Sequence, residues 1–274
     1  MDPMTRIADA LERLADRLAP QPASADPANG AWFVWDGAGL AAVPPPRTAP
    51  LSLYVGVDAQ ASALLDNARR HARGLPAHDV LLWGARGMGK SSLVRAVHRV
   101  LLDEAMDVAL VQLGQPDLAT LPRLFARLAA VPRRFTLFLD DVALAGDDAQ
   151  IHALRSLLDG GVMARPDHVR LVITSNRRNL VPQVMADRAA DAVNPRDLAD
   201  DSLALADRFG LKLGFHACDQ DQYLAICAAY AGAHGLPHDP EAALRFAAAR
   251  GARSGRVAWH FVVDQAGHAG VRLP

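Results

Sequence analysis

Gly84-Ala85-Arg86-Gly87-Met88-Gly89-Lys90-Ser91 decides how this 274-residue chain is read. The octet matches G-x-x-x-x-G-K-[ST], a glycine-rich turn whose backbone N–H groups can face phosphate oxygens. Lys90 is one of two lysines in a chain with 27 arginines. Arginine serves nearly everywhere a generic positive charge is wanted, so a compact ammonium on a flexible stem at this position is pointed evidence. The surroundings agree. Val80–Trp83 is a short apolar run that reads as a strand, and Ser91-Ser92-Leu93-Val94 opens a helix whose N-terminal dipole favours an anion. The octet with Ser92 therefore forms a binding segment for a nucleoside triphosphate. Lys90 is placed to reach the β- and γ-phosphates and the Ser91 hydroxyl to ligate Mg²⁺.

A triphosphate site of this kind needs an acidic partner for the metal. Phe135-Thr136-Leu137-Phe138-Leu139-Asp140-Asp141 supplies one, an apolar strand that ends in two carboxylates. Asp140 stands 50 residues beyond Lys90, in keeping with the Walker B pattern, and is expected to hold Mg²⁺. Asp141 is expected to orient or deprotonate an attacking water.

Apolar runs recur at Val80–Trp83, Val108–Leu113, Phe135–Leu139, Val169–Thr174 and Leu211–Phe215. Helical patterns at Ser91–Leu102, Leu121–Ala130 and Ala149–Leu158 fall between most of them. Short continuous apolar strands alternating with helices predict a mostly parallel sheet covered on both faces. Beyond Phe215 the strand signal stops. Gln220–Ala233, Glu241–Ala249 and Arg253–Ala266 read as helices and predict a small C-terminal helical unit.

Upstream of the core, Met4–Leu18 is an amphipathic helix with Ile7, Leu11, Leu14 and Leu18 on one stripe. It either docks on its own domain or meets a partner. Pro20 to Gly30 reads as a linker. Trp32–Trp35 and Leu40–Val43 flank Asp36-Gly37-Ala38-Gly39 as a small hairpin whose two tryptophans must pack against something. The expected divisions are 1–50 for helix, linker and hairpin, 51–216 for the α/β core, and 217–274 for the helical unit.

Composition narrows the class further. The formal net charge of −1 gives no whole-molecule field toward nucleic acid or an anionic membrane, although arginine clusters could act locally. Cys218 and Cys227 have no ligand-spaced neighbours and read as buried free thiols, and the histidines, His71 and His78 among them, form no metal cluster. No long apolar run marks a signal peptide or a membrane span, so a cytoplasmic protein with no membrane partner is expected.

Several stretches together are similar to the AAA+ ATPases. Leu171-Val172-Ile173-Thr174-Ser175-Asn176 resembles the sensor 1 strand, which makes Asn176 the residue implied to meet the γ-phosphate and the attacking water. Leu205-Ala206-Asp207-Arg208-Phe209-Gly210 resembles the box carrying the arginine finger, implying that role for Arg208, delivered by a neighbouring subunit. Arg253-Ser254-Gly255-Arg256-Val257-Ala258 resembles sensor 2, implying Arg256, with Arg253 as the alternative. Tyr54-Val55-Gly56-Val57-Asp58 resembles the segment lining the adenine pocket, which brings in Val55 and Gly56. Arg177-Arg178 reads as an interface or loop pair.

With Leu82–Val94, Thr174–Leu180, Ala206–Leu211 and Gly251–Ala258, the chain from about Trp32 to Gly267 resembles the bacterial AAA+-like P-loop ATPase family designated domain of unknown function 815. That resemblance implies a three-layer α/β core with a parallel five-stranded sheet in the order 5-1-4-3-2 and a C-terminal helical lid. It also implies ATP and Mg²⁺ as ligands, ADP as product, nucleotide-dependent homo-oligomers, and an unidentified protein or nucleic-acid partner. Asp141 departs from the usual glutamate by one methylene. Slow turnover or a nucleotide-gated switch is the alternative to an efficient ATPase. A small-molecule kinase has no natural place for the C-terminal helical unit.

Overall fold

The computed structural model describes residues 24–142, 154–155, 157–158, 165–176 and 205–273. The helix expected at Met4–Leu18 and the pair Arg177-Arg178 lie outside the described residues. Of the helix expected at Ala149–Leu158, residues 154–155 and 157–158 are described, and they are helical.

All five apolar runs are strands. In chain order the strands are β1 (Trp32–Trp35), β2 (Leu40–Ala42), β3 (Val80–Gly84), β4 (Val108–Leu113), β5 (Arg134–Leu139), β6 (Val169–Ser175) and β7 (Leu211–Phe215). They form one sheet in the order β2-β1-β4-β5-β6-β3-β7. The five core strands, β7-β3-β6-β5-β4, reproduce the 5-1-4-3-2 order and are parallel throughout.

The sheet has seven strands rather than five, and the reason lies in the hairpin. β1 pairs parallel with β4, Trp32 opposite Leu110 and Trp35 opposite Leu113, and β2 closes the edge antiparallel. Trp32 and Trp35 are buried, and Trp35 Nε1 donates to Thr120 Oγ1 at 2.8 Å. The division expected at residue 50 thus runs between segments of a single sheet. The linker is also tied down from Ser24 onward. Leu40 N donates to Ser24 Oγ at 2.8 Å, Ala25 N to Leu40 O at 2.7 Å, and Arg133 Nη1 to Gly30 O at 2.7 Å.

Both sheet faces are covered, which is why the strands read as continuous apolar runs. Val80, Leu82, Leu110, Phe138 and Val172 share one core with α1 (Asp58–Ala72) and α2 (Lys90–Asp103). Leu81, Val111, Leu137, Leu139 and Ile173 share the other with α3 (Leu121–Ala129) and the hairpin. The C-terminal unit comprises α4 (Gln220–Ala233), α5 (Pro240–Arg250) and α6 (Gly255–Ala269). Each begins at a side-chain cap: Asp219 accepts from Gln222 N, Asp239 from Ala242 N and Ser254 from Val257 N. Tyr223, Ile226, Phe261 and Val262 join the same core as α1 and α2, so the C-terminal unit packs on that face of the sheet.

Candidate active site

The strand ends and the start of α2 meet at a cleft of about 420 Å³. Gly84, Gly87 and Gly89 have φ of +122°, +76° and +86°, backbone that only glycine adopts without strain. At Gly84 the need is steric as well, since an added Cβ would lie 2.1 Å from Phe215 O on β7. Ala85 N donates to Phe215 O at 2.7 Å, and the loop delivers Lys90 to the first turn of α2.

Lys90 is 5% exposed, and its Nζ donates to Gly84 O and Ala85 O at 2.8 Å each and to Asn176 Oδ1 at 3.0 Å. Burial pulls this ammonium down from its ordinary range to about 8, against the opposing pull of Asp141 and Asp140. Its partners are neutral carbonyl oxygens, so the positive charge remains without a directly bonded carboxylate.

Asp140 and Asp141 are bridged by Thr174, which is 1% exposed on β6. The Thr174 hydroxyl donates to Asp140 Oδ1 at 2.6 Å and accepts from Asp141 N at 2.8 Å. Ser91 Oγ donates to the same Asp140 oxygen. The Ser91 hydroxyl and the Asp140 carboxylate thus stand side by side as oxygen donors, the kind of ligand Mg²⁺ takes. The two residues fit that ion. Asp141 has φ +56°, an uncommon conformation for a residue other than glycine, and its carboxylate accepts from Asn176 Nδ2. Arg86 Nη2 lies 3.9 Å from its other oxygen.

The far wall belongs to the lid. Arg256 N donates to Gly87 O at 3.0 Å, so the first turn of α6 rests on the phosphate loop, with Ser254 buried against Gly87. Arg256 lines the cleft, and Arg253 is exposed outside it. Tyr230 and Trp259, ring centroids 5.4 Å apart and edge to face, close the end where Val55 and Tyr54 stand. The Tyr54 hydroxyl is hydrogen-bonded to Ser92 Oγ at 2.6 Å, and burial pushes it up to about 12.

The family model described as Protein of unknown function (DUF815) matches residues 28–269. The chain belongs to this family. Comparison with curated proteins finds no match. Among solved structures, domain III of the Thermotoga maritima replication initiation protein DnaA is 15% identical, with 85% of this chain and 94% of that chain covered and a TM-score of 0.54. The Aeropyrum pernix Orc1 protein, solved in complex with DNA, is 17% identical, covering 80% of this chain and 63% of that chain, with a TM-score of 0.55. The Holliday junction branch migration motor RuvB of Thermotoga maritima is 16% identical over 82% of this chain and 72% of that chain, with a TM-score of 0.41. DnaA and Orc1 carry the comparison, and the fold of this DUF815 chain is that of the AAA+ ATPases.

The fold brings Lys90, Ser91, Ser92, Arg86, Gly87, Met88, Gly89, Asp140, Asp141, Asn176, Arg256 and Val55 to one cleft. Gly56 lies outside its lining, and its carbonyl accepts from Gln222 Nε2 of α4 at 3.2 Å. Gly84 acts from below, through the carbonyl that holds Lys90. Arg208 is exposed at the end of a helical turn before β7, outside the cleft lining. Thr174, Arg95, Tyr230 and Trp259 were not singled out by sequence. Of these, only Arg95 had a readable signal, its spacing of four from Ser91 on a helix.

The histidine reading needs one addition. His71, His78 and His98 border a second small cavity beneath α1 and α2. His71 Nε2 donates to Phe135 O at 3.0 Å and His98 Nε2 to Ala31 O at 2.9 Å, and burial lowers each to about 4. Among the described residues no group of three or more His, Cys, Asp or Glu could hold a metal ion. Cys218 and Cys227 are free and buried, as expected. Among the described residues no helix is long and apolar enough to cross a membrane.

Proposed function

We propose that this chain binds ATP with Mg²⁺ in the cleft between sheet and lid and hydrolyses it to ADP and phosphate. The observation that carries this reading is the Lys90 ammonium, buried at the cleft floor on carbonyl oxygens beside the Ser91–Asp140 pair. A chain that placed a desolvated cation there without an anionic ligand would lose stability for nothing. Backbone N–H groups of the Gly84–Gly89 loop and Lys90 cradle the phosphates. Ser91 and Asp140 would hold Mg²⁺, which would supply neutralisation of the phosphate charge.

Asp141 and Asn176 handle the water. Asn176 reaches both Lys90 and Asp141, so a shift of its amide toward a γ-phosphate would release the Asp141 carboxylate to accept a proton. Arg256 approaches the phosphates from the lid, which links lid position to nucleotide state. Arg208 acts in trans as the arginine finger of a homo-oligomer. The resulting lid movement works on a protein or nucleic-acid partner, in a protein that operates in the cytoplasm.

A second reading, a nucleotide-gated switch with little hydrolysis, is favoured by one observation. The Asp141 carboxylate is short, sits on a positive-φ backbone and is held by Asn176 and Arg86. Phosphate release measured against protein concentration separates the two. A rate rising more than linearly, and lost in Asp141→Asn and Arg208→Ala, supports trans hydrolysis. A near-zero rate at every concentration with ATP still bound leaves the switch.

A further inference from the structure

Arg95 stands one turn beyond Ser91 on α2, so both side chains leave the same face of the helix. They hold opposite oxygens of one carboxylate. Ser91 Oγ bonds Asp140 Oδ1, while Arg95 Nη2 lies 3.3 Å from Asp140 Oδ2. The same nitrogen is 3.4 Å from Gln112 Oε1 on β4, and the guanidinium lies 5.5 Å from the Phe138 ring on β5. With 28% of its side chain exposed, Arg95 is braced from two neighbouring strands. It is not a surface arginine that happens to swing past.

The phosphate loop already carries its own cations, Lys90 and Arg86, and neither touches Asp140. A bare Asp140 carboxylate, with the Asp141 carboxylate next in the chain, would attract divalent cations before any nucleotide arrives. The guanidinium on Oδ2 cancels that charge. We propose that Arg95 is a positioning residue that makes metal capture conditional on nucleotide. It fixes the Asp140 carboxylate for the ion and keeps the empty site too weakly negative to hold one. The phosphates then supply the missing attraction, so cation and nucleotide enter together. This rests on the reading of Ser91 and Asp140 as the metal pair.

The test uses the full chain and Mn²⁺, a paramagnetic stand-in for Mg²⁺, with free Mn²⁺ followed by electron paramagnetic resonance in the absence of nucleotide. Arg95→Gln is expected to take up Mn²⁺ about tenfold more tightly than wild type, and Arg95→Lys, which keeps the charge, to stay within about threefold. Affinity of Arg95→Gln for a fluorescent ATP analogue in EDTA is expected to stay within about threefold of wild type, which shows that the phosphate cradle is intact. Equal Mn²⁺ affinity in wild type and Arg95→Gln overturns the proposal, as does extra uptake that persists when Asp140→Asn is added. A separate control addresses the metal pair itself. If Asp140→Asn binds the analogue with Mn²⁺ as tightly as wild type does, the metal-pair reading fails and the Arg95 proposal falls with it.

Discussion

Asn176 Oδ1 accepts a hydrogen bond from the Lys90 ammonium at 3.0 Å, joining the end of β6 to the first residue of α2 across 86 positions of sequence. The same amide donates to Asp141, so the cation that would meet the phosphates and the carboxylate that would meet the water share one neighbour. Charge on Lys90 is therefore tied to the state of the whole site.

The first consequence is a proton. Burial holds Lys90 at about 8 in the empty cleft, and a bound phosphate restores the charged form. Nucleotide binding above this value must then take up a proton. Affinity is expected to fall about tenfold from pH 7 to pH 9, with titration heats at pH 9 that depend on the buffer's ionisation enthalpy. Affinity and heats indifferent to pH and buffer would contradict the assignment.

Gly84 and Gly251 give a paired test of why the phosphate loop is built as it is. Both have positive φ, but a Cβ at Gly84 meets Phe215 O at 2.1 Å while one at Gly251 meets nothing within 4 Å. Gly251→Ala is expected to lose about 1 kcal/mol of stability, the left-handed backbone cost alone. Gly84→Ala is expected to lose more than about 3 kcal/mol or to fail to fold. Urea midpoints measure both, and similar losses would show that the β3–β7 approach is not tight.

The neutral histidines below the sheet set acid stability. His71 and His98 are held at about 4, against an ordinary value of 6.5, so the unfolded chain binds more protons between those limits. Stability is then lost as pH falls from about 6.5 toward 4, by about 2 kcal/mol for each histidine at pH 5. His71→Gln is expected to flatten this slope between pH 7 and 5 in urea unfolding. An unchanged slope would place the proton uptake elsewhere.

Trp259 on α6 gives a probe of the C-terminal unit. Of the four tryptophans, Trp259 lines the cleft beside Tyr230 and His234, Trp32 and Trp35 are buried in the β1–β2 edge of the sheet, and Trp83 on β3 packs edge to face on His216 outside the cleft lining. ATP is expected to change the tryptophan emission of the wild type and not that of Trp259→Phe. A signal that survives in the variant would move the responsive tryptophan away from the lid.

Legibility in the sequence followed burial chemistry. β3 to β7 were visible because both faces of the core sheet are covered, leaving continuous apolar runs. α1 was not. Two of its four buried positions are Asn67 and His71, which satisfy themselves on the His78 backbone and on Phe135 O, so its inward face does not read as apolar. The hairpin was legible but its place was not, because pairing β1 with β4 brings together segments 78 residues apart, Trp32 with Leu110. Lys90, Ser91 and Asp140 announce themselves by spacing. Tyr230 and Trp259 come from separate helices and meet only in the fold.

The most direct measurement is equilibrium binding of a fluorescent ATP analogue with Mg²⁺ to the wild-type chain and to Lys90→Met, with thermal unfolding confirming that both are folded. Saturable binding by the wild type, weakened about tenfold to a hundredfold in Lys90→Met, is the expected result. Equal affinity in the two proteins, or no saturable binding to the wild type, would contradict a nucleotide site at Lys90.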